Sequence, residues 1–414
     1  MSKTPHATVI FRNAQIIDGS QADPNGIFDV LVEAGVIREV SESRINVSCD
    51  LEYDLKGQTL MPGLIDLHIH PFLTDMNLMR LEDTPVSLVT AQASVVLNGL
   101  LDRGFTSIRD AAGGDWGLKQ AVDEGLIAGP RLFISGRALS QTGGHGDFRR
   151  RTDDSVMCSC GSALHLTSRI ADGVDQVRHA VRDELRKGAD QIKIMVSGGV
   201  SSPLDPLEGC QFSNGEIEAA VDEATRAGTY VLAHAYSAEA ITRALNAGVR
   251  TIEHANLIDK DAAELAASKN AYVVPTLVAF EALAKHAVSA GYSDAMLGKL
   301  KKVREFGLRS LEICKAAGVK MGFGTDIIGN QSMHAQEFLL RAEVLPAHEI
   351  IASATRVGAE VLNREGQLGV IAPGAVADLL VVNGNPLQDI SLLAGHGEHY
   401  LAIMKDGRFH KNLL

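Results

Sequence analysis

Two histidines separated by one residue are the first feature of the sequence with metal-binding potential. His68 and His70 lie in the apolar run GLIDLHIHPF. If this run is a β-strand, residues two apart point to the same face, so both imidazoles face the same way. Histidine nitrogens are common ligands of zinc and of similar divalent metals. The pair alone also fits two hydrogen-bonded strand histidines, so the prediction of a metal site depends on further ligands.

Four more potential ligands stand at the ends of other short apolar runs. They are Lys193 in QIKIMVSGG, His234 in VLAHAYS, His254 in TIEHAN and Asp326 in MGFGTDIIG. The carboxyl ends of parallel barrel strands meet at one mouth, so side chains at these positions are expected to converge. This convergence favours a shared metal site over separate structural roles.

Lys193 needs an explanation because a lysine inside an apolar strand is costly to bury. It is either a structural lysine, paired with a carboxylate or extended to the rim, or a desolvated lysine with a lowered pKa. In the second case its neutral amine is a nucleophile that can add carbon dioxide. The resulting carbamate, N6-carboxylysine, is a carboxylate-like bridge between two metals. Because the other potential ligands are expected to converge at the same mouth, we favour the second interpretation.

The elements that must position these residues follow a βα pattern from Met61 onward. Short apolar runs alternate with amphipathic stretches, many of which end in Gly, as in ELRKGADQIKI and ATRAGTYVLAH. Glycine at the end of each helix is a typical C-cap. The eight candidate strands are Gly63–His70, Phe105–Ala112, Arg131–Leu139, Gln191–Ser197, Tyr230–Tyr236, Thr251–His254, Ala271–Thr276 and Lys320–Asp326. We therefore predict an α/β fold with a (β/α)₈ TIM-type barrel over residues 61–358.

Both ends of the chain have β character. Residues 1–60 contain short β-rich runs separated by Asp-Gly, Asn-Gly and Ala-Gly turns, and residues 359–414 return to this character in ADLLVVNGNP and YLAIMKDGRFH. An economical arrangement combines the two segments into one small β-sandwich. Two separate β appendages are the alternative.

Composition and charge exclude several classes of protein. The 39 Lys and Arg against 51 Asp and Glu give a net charge of −12, which argues against nucleic-acid or anionic-membrane binding. The longest apolar run, near 272–284, is interrupted by Pro275 and Glu281 and is too short to span a membrane. Five cysteines are too sparse for a disulfide framework, and no secretory signal is visible. We expect a cytoplasmic enzyme with a small-molecule or peptide substrate.

The ordered set of candidate ligands resembles the amidohydrolase superfamily. The segment QTLMPGLIDLHIH before the barrel, and ATRVGAEVLN followed by GVIAPGAVADLLVVNGNP after it, are similar to the family's flanking sequences. The resemblance implies two divalent metals, zinc being the first expectation. His68, His70 and Asp326 would hold one metal, His234 and His254 the other, and carbamylated Lys193 would bridge both. By analogy with relatives, a homo-oligomer is also expected.

The resemblance also implies a reaction. A hydroxide bridging the metals would attack the substrate carbonyl, and Asp326 would take its proton and pass it to the leaving amine. A mononuclear deaminase or an imidazolonepropionase-like cyclic-amide hydrolase is the main alternative. Such relatives lack the bridging lysine, and deaminases commonly have Glu where this chain has Ser237. A non-catalytic scaffold relative would have lost its ligands, which are all present here.

The loops suggest where a substrate would bind. His145 lies in the glycine-rich segment SGRALSQTGGHGDFRRR, which could bring an imidazole over the metals, and Tyr236 shares the inward face of its strand with His234. The same segment ends in three consecutive arginines, Arg149, Arg150 and Arg151. Such a run is typical of a solvated surface, although one of the three could contact the substrate.

These segments resemble the Xaa-Pro dipeptidases (prolidases) and carboxypeptidase-like amidohydrolases, a group related to ochratoxin-hydrolysing amidases. In those relatives the residues at the positions of His145 and Tyr236 contact the substrate. The resemblance implies that a C-terminal amino acid, proline or another hydrophobic residue, is released from a dipeptide or an N-acyl amino acid.

Overall fold

The computed structural model describes residues 6–19, 26–149, 151–152, 167–202, 204–329 and 331–414. Its strands are β1 (Val9–Ile16), β2 (Phe28–Glu33), β3 (Val36–Ser41), β4 (Leu51–Asp54), β5 (Thr59–Pro62), β6 (Leu64–Ile69), β7 (Phe105–Asp110), β8 (Arg131–Ile134), β9 (Ala138–Ser140), β10 (Ser168–Ile170), β11 (Ile192–Met195), β12 (Val231–Ser237), β13 (Thr251–Leu257), β14 (Tyr272–Val274), β15 (Lys320–Met321), β16 (Leu379–Val382), β17 (Tyr400–Lys405) and β18 (Arg408–Asn412).

The helices alternate with the central strands, as the sequence pattern predicts. They are α1 (Leu78–Glu82), α2 (Val86–Asp102), α3 (Trp116–Asp123), α4 (Val174–Arg186), α5 (Asn214–Arg226), α6 (Ala238–Asn246), α7 (Lys260–Ser268), α8 (Leu277–His286), α9 (Asp294–Ala317), α10 (Glu337–Ala342), α11 (Ala347–Ser353) and α12 (Arg356–Val361), with 3₁₀ turns at Gln331–Gln336 and Ile390–Leu393. Among the residues that the structure describes, no helix is long and apolar enough to cross a membrane.

The two terminal segments share one sheet system. Its strand order is β18-β17-β16-β5-β1-β2-β3, with β4 paired to β1. The junction between the two segments is the antiparallel pair β5 and β16, in which Pro62 faces Leu379 and Thr59 faces Val382. Apolar side chains from both segments fill one core that includes Phe11, Val30, Leu60, Val381 and Met404. The sandwich prediction is therefore confirmed, and the alternative of separate appendages is wrong.

The central strands form the barrel. One parallel sheet has the order β10-β9-β11-β12-β13-β14-β15, and a second has the order β6-β7-β8. Backbone hydrogen bonds join the two, because Leu67 N–H donates to Phe323 O at 2.8 Å and Asp190 N–H donates to Ile134 O at 2.7 Å. The predicted (β/α)₈ architecture is confirmed.

Two of the predicted strands differ in detail from the structure. Arg131–Leu139 is divided into β8 and β9 because Gly136, with a φ of 65°, turns the chain between them. The positive φ favours glycine at this position, and a Cβ there would also lie 2.6 Å from the Glu184 carboxylate. In Lys320–Asp326 the regular ladder stops at Met321. The short strand β10 did not stand out in the sequence.

The predicted helix ends are confirmed by backbone conformation. Glycines that follow helices adopt the left-handed conformation, for example Gly188, Gly228 and Gly318 with φ of 95°, 76° and 73°. At the start of α5, Ser213 and Glu216 form a reciprocal capping box. Local sequence therefore sets where these helices begin and end.

Contacts divide the chain into two compact units. One comprises Met1–Asp66, Asn98–Ser107 and Phe338–Leu414, and the other comprises Leu67–Leu97 and Ile108–Glu337. The second unit contains all the predicted site residues. The domain boundaries expected near residues 60 and 358 stay predictions.

Candidate metal centre

Three of the predicted ligands come together at the ends of two strands. His68 Nε2 and His70 Nε2 lie 3.7 Å and 3.2 Å from Asp326 Oδ1. The potential ligand atoms of this group lie within 4.8 Å of one another. Two imidazoles and one carboxylate, largely buried, form a donor set that suits a first-row divalent cation.

The other two histidines extend this cluster across neighbouring strands. The His254 ring lies 4.8 Å from the His68 ring and 4.7 Å from the His234 ring, measured between centroids. His254 Nδ1 lies 4.0 Å from Asp326 Oδ2. The structure thus brings all four histidines and Asp326 into one pocket.

Each of the four histidines has one ring nitrogen engaged by a protein oxygen. The contacts are His68 Nδ1 with Glu253 Oε2 at 2.6 Å, His70 Nδ1 with Ala112 O at 2.9 Å, His234 Nε2 with Gly198 O at 3.1 Å, and His254 Nδ1 with Thr276 Oγ1 at 2.8 Å. A carbonyl or carboxylate oxygen accepts a hydrogen from the nitrogen it contacts. At His68, His70 and His234 the lone pair then resides on the other nitrogen, as metal-binding histidines require, whereas the Thr276 hydroxyl can either donate to His254 or accept from it.

Burial keeps three of these histidines neutral. It lowers the pKa of His68, His234 and His254 well below the usual value. Burial also acts on His70, but the hydrogen bond and negative charge of Asp326 outweigh it and raise the His70 pKa. Neutral imidazoles have the lone pair that a cation needs.

Two of the site residues have unusual backbone conformations. His254 has a φ of 69° and Asp326 a φ of 52°, in the left-handed region that residues other than glycine rarely adopt. Alternation along β13 would place Glu253 and His254 on opposite faces. The left-handed turn at His254 lets both side chains contact the barrel interior. Such local strain is often found at functional sites.

Lys193 lies in β11 and is only 1% exposed. Burial lowers its pKa to about 8, although the charges of Glu253 and Asp326 act in the opposite direction. The neutral fraction of the amine near physiological pH is then larger than that of an exposed lysine. Its environment therefore suits the addition of carbon dioxide.

The structure places both predicted substrate-binding residues in the same pocket. The His145 ring stacks on the His234 ring at 4.3 Å, and Tyr236 stacks on His254 at 5.3 Å. Burial lowers the pKa of His145 to about 4. Burial, together with the negative charge of Asp326, raises the pKa of Tyr236 well above 10, so the hydroxyl stays protonated and can donate a hydrogen bond.

The arginine run gives a different result. Arg149 forms a two-pronged ion pair with Asp147, with Nε–Oδ1 at 2.8 Å and Nη2–Oδ2 at 2.6 Å. Arg151 is exposed to solvent, and Arg150 lies outside the described residues. Neither of the two described arginines is among the residues that line the pocket.

Residues that the sequence reasoning missed surround the ligands. Arg109 and Glu253 form a fully buried ion pair beneath His68. Ser202 Oγ lies 2.7 Å from His145 Nδ1, and Asp205 Oδ2 lies 3.9 Å from the same atom. The sequence did contain a signal for Arg109 and Glu253, because each is a charged residue inside an apolar run, TSIRDA and TIEHA. The same kind of signal identified Lys193.

Above the histidines the pocket is largely apolar. Its cavity volume, counted as the space open to the centre of a water-sized sphere, is about 80 Å³. The apolar side chains that line it include Leu73, Met76, Val200, Phe280, Leu283 and Ile327. An apolar wall around a few converging polar groups is the usual form of a small-molecule site.

Comparison with known proteins agrees with this architecture. The model of the amidohydrolase family matches residues 59–408. A solved amidohydrolase structure is 52% identical, with a TM-score of 0.95, and the match covers 98% of this chain and 99% of that one. A prolidase solved in complex with N-methylphosphonate-L-proline is 46% identical, with a TM-score of 0.94, and the match covers 98% of this chain and all of that one.

A characterised fungal protein is also similar in sequence. Ochratoxinase from Aspergillus niger is 34% identical over 351 residues, which cover 80% of this chain and 72% of that protein. The family match extends over most of the sequence, including both flanks of the barrel. The chain therefore belongs to the amidohydrolase family and is a hydrolase of amide-type carbon–nitrogen bonds.

Proposed function

We propose that this hydrolase releases a C-terminal proline or hydrophobic amino acid from dipeptides or N-acyl amino acids. The observation that carries the proposal is the convergence of His68, His70 and Asp326 within 4.8 Å, in the pocket of a chain 46% identical to a prolidase. The apolar wall around these ligands suits a hydrophobic substrate. We expect the amide carbonyl to face the ligands and the hydrophobic groups to face that wall.

The proposed metal centre holds two divalent ions, with zinc as the first candidate. His68, His70 and Asp326 would bind one ion, His234 and His254 the other, and Lys193 as a carbamate would bridge them. The lowered pKa of Lys193 and the contact of His234 Nε2 with the Gly198 carbonyl, which leaves the lone pair on Nδ1, support this division. When bound, the metals would lower the pKa of a water molecule and polarise the scissile carbonyl.

The protein's own groups would complete the reaction. Asp326 would accept a proton from the attacking water through a carboxylate oxygen and return it to the leaving amine. The Tyr236 hydroxyl, held protonated, would donate to the substrate carboxylate or to the oxyanion. His145 would contact the substrate from the opposite side, above the His234 ring.

A deaminase is less well supported. Ser237 stands at the position where deaminases commonly have a glutamate. It is the N-cap of α6, and its hydroxyl accepts a hydrogen bond from Ala240 N–H. A carboxylate for proton transfer is therefore missing at this position. All the candidate ligands line one pocket, which is not expected of a non-catalytic scaffold. The cytoplasmic location and the homo-oligomer stay predictions.

Hydrolysis of a library of dipeptides and N-acyl amino acids, varied at the C-terminal residue, tests the proposal. Metal content would be counted on the same preparation. We expect about two metals per chain, and release of C-terminal proline or hydrophobic residues. One metal per chain without any peptide release would overturn the proposal. Cyclic amides and deaminase substrates would then be the next compounds to assay.

A further inference from the structure

A buried ion pair spans the barrel interior below the candidate metal centre. Arg109 on β7 and Glu253 on β13 are both 0% exposed, and Arg109 Nη2 lies 2.8 Å from each carboxylate oxygen of Glu253. Arg109 Nε donates to Leu67 O at 2.5 Å, and Nη1 donates to Thr251 Oγ1 at 3.0 Å. Burying two charges is costly unless all their hydrogen-bonding groups are satisfied. The extensive hydrogen bonding of this pair explains how it is tolerated but not what it does.

The second contact of Glu253 indicates its role. Glu253 Oε2 lies 2.6 Å from His68 Nδ1, while His68 Nε2 faces Asp326 Oδ1 at 3.7 Å. Both oxygens of this carboxylate accept from the Arg109 guanidinium, so towards His68 the carboxylate acts as a hydrogen-bond acceptor. The hydrogen of the neutral imidazole therefore resides on Nδ1, and the lone pair on Nε2 faces the site.

We propose that Arg109 and Glu253 are positioning residues that fix the tautomer and ring orientation of His68, and thereby set the affinity of the site for its metal. Arg109 orients Glu253, Glu253 orients His68, and neither is among the residues that line the substrate pocket. A pair that only braced the barrel would affect the stability of the protein and leave metal affinity unchanged. The inference rests on the proposed metal site and is independent of the substrate.

Glu253→Gln tests the proposal with little change in side-chain volume. The variant removes the charge that keeps His68 as an Nδ1–H donor, and the affinity for Zn²⁺ should fall by about 10- to 100-fold. Affinity would be measured on metal-free protein by competition with a chromophoric chelator. The matched control is Glu184→Gln, because Glu184 is also buried and paired to an arginine, Arg137, at 2.9 Å, without contacting a histidine.

The control should lose thermal stability but keep the wild-type Zn²⁺ affinity. If Glu253→Gln also keeps wild-type affinity, the pair is only structural and the proposal is wrong. If wild-type protein itself binds no Zn²⁺, the proposed metal site fails, which is a separate result.

A measurement on unmodified protein covers the case in which Glu253→Gln does not fold. Nitrogen-15 NMR of histidine-labelled metal-free protein reports which ring nitrogen is protonated, and the signal of His68 is identified by its loss in His68→Gln. We expect the Nδ1–H tautomer. An Nε2–H tautomer would overturn the proposal.

Discussion

Lys193 has surroundings that differ strongly from those that lysine usually prefers. The residue is 1% exposed, and burial lowers its pKa to about 8. In a purely structural role, such a buried amine would lower the stability of the folded protein. Five histidines and a carboxylate line the same pocket. These surroundings make a carbamate bridge a chemically reasonable fate for the amine.

Replacing this lysine should therefore remove metal and activity together. We expect Lys193→Ala to bind less metal and to lose activity by at least about 100-fold, with partial rescue by a short carboxylic acid that replaces the carbamate. Metal analysis and initial rates on the same sample measure both effects. Lys260→Ala is the control, since Lys260 is mostly exposed. Full activity in Lys193→Ala would refute the bridging role.

Asp326 has two proposed roles, as a metal ligand and as a proton carrier. It lies next to His68 and His70 and retains 18% side-chain exposure. Asp326→Asn should lower kcat by about 10²–10⁴-fold, because the amide cannot accept a proton. The thermal midpoint should stay close to that of the wild type. Unchanged turnover would exclude the proton-transfer role.

At the scale of elements, α9 holds the loop that follows β11. Lys299 Nζ on α9 donates to the carbonyls of Gly199, Ser202 and Asp205 at 2.9, 2.8 and 2.6 Å. Ser202 in turn contacts His145, and a Cβ at Gly199 would lie within 2.4 Å of the His145 ring. The position of His145 thus depends on a lysine from another element.

Lys299→Met should release this loop without emptying the metal site. We expect KM to rise about tenfold, which corresponds to about 1.4 kcal/mol, with metal content unchanged. Steady-state kinetics on the best library substrate provide the test. Lys301→Met, at an exposed position of the same helix, is the control. An unchanged KM would show that the loop holds His145 without this lysine.

Helices α4 and α5 are joined by a charged cluster around Glu223. Its carboxylate accepts from Arg178 Nη1 at 2.6 Å, and from Arg182 Nη2 and Nε at 2.6 and 2.8 Å. The hydrogen bond from Arg182 outweighs burial and, with Arg178, lowers the Glu223 pKa from 4.5 to about 2. A carboxylate whose pKa is depressed in the folded state stabilises the protein above the unfolded pKa, and this stabilisation is lost as the pH falls.

Glu223→Gln should therefore destabilise the protein in a pH-dependent way. At pH 7 we expect a loss of about 1 kcal/mol, or a few degrees in the thermal midpoint. As the pH falls from 4.5 to about 2, the difference in unfolding free energy between the variant and the wild type should shrink. The reason is that the wild-type carboxylate becomes protonated over this range and no longer stabilises the folded state. Calorimetry at several pH values measures this, with exposed Glu218→Gln as the control. A difference independent of pH would contradict the interpretation.

At the scale of the whole molecule, both ends of the chain are needed to complete one sheet. The last strands supply Tyr400, Ala402, Ile403 and Met404, each at most 1% exposed. Burial of a large apolar side chain contributes about 1.5–3 kcal/mol, so their sum is comparable with the total stability of a domain.

Removal of residues 397–414 should accordingly abolish the folded state. We expect insoluble protein, or a soluble fraction that has lost its cooperative thermal transition. Deletion of Leu413 and Leu414 alone, which are exposed, should leave the transition unchanged. A cooperative transition in the longer deletion would show that the terminal strands are dispensable.

Much of the fold and most of the candidate site could be predicted from local spacing. The pairing of His68 with His70 follows from the two-residue period of a strand, and the helix ends follow from glycines that take left-handed φ values. The order of the candidate ligands along the chain indicated one family, and the comparison confirmed it. These properties are encoded within a few residues of each other.

Other properties depend on residues that are distant in the sequence and become neighbours only when the barrel closes. The Arg109–Glu253–His68 arrangement joins β7, β13 and β6, and local spacing could not pair these side chains. The inward turn of His254 needs a left-handed backbone that its own residue type disfavours, so surrounding contacts must impose it. Arg149 likewise forms an ion pair with Asp147, and the run of three arginines in the sequence does not predict this pairing. The sequence by itself determined which groups are available for chemistry, whereas the tertiary structure decided their partners, because burial and hydrogen bonding are set by the packed barrel.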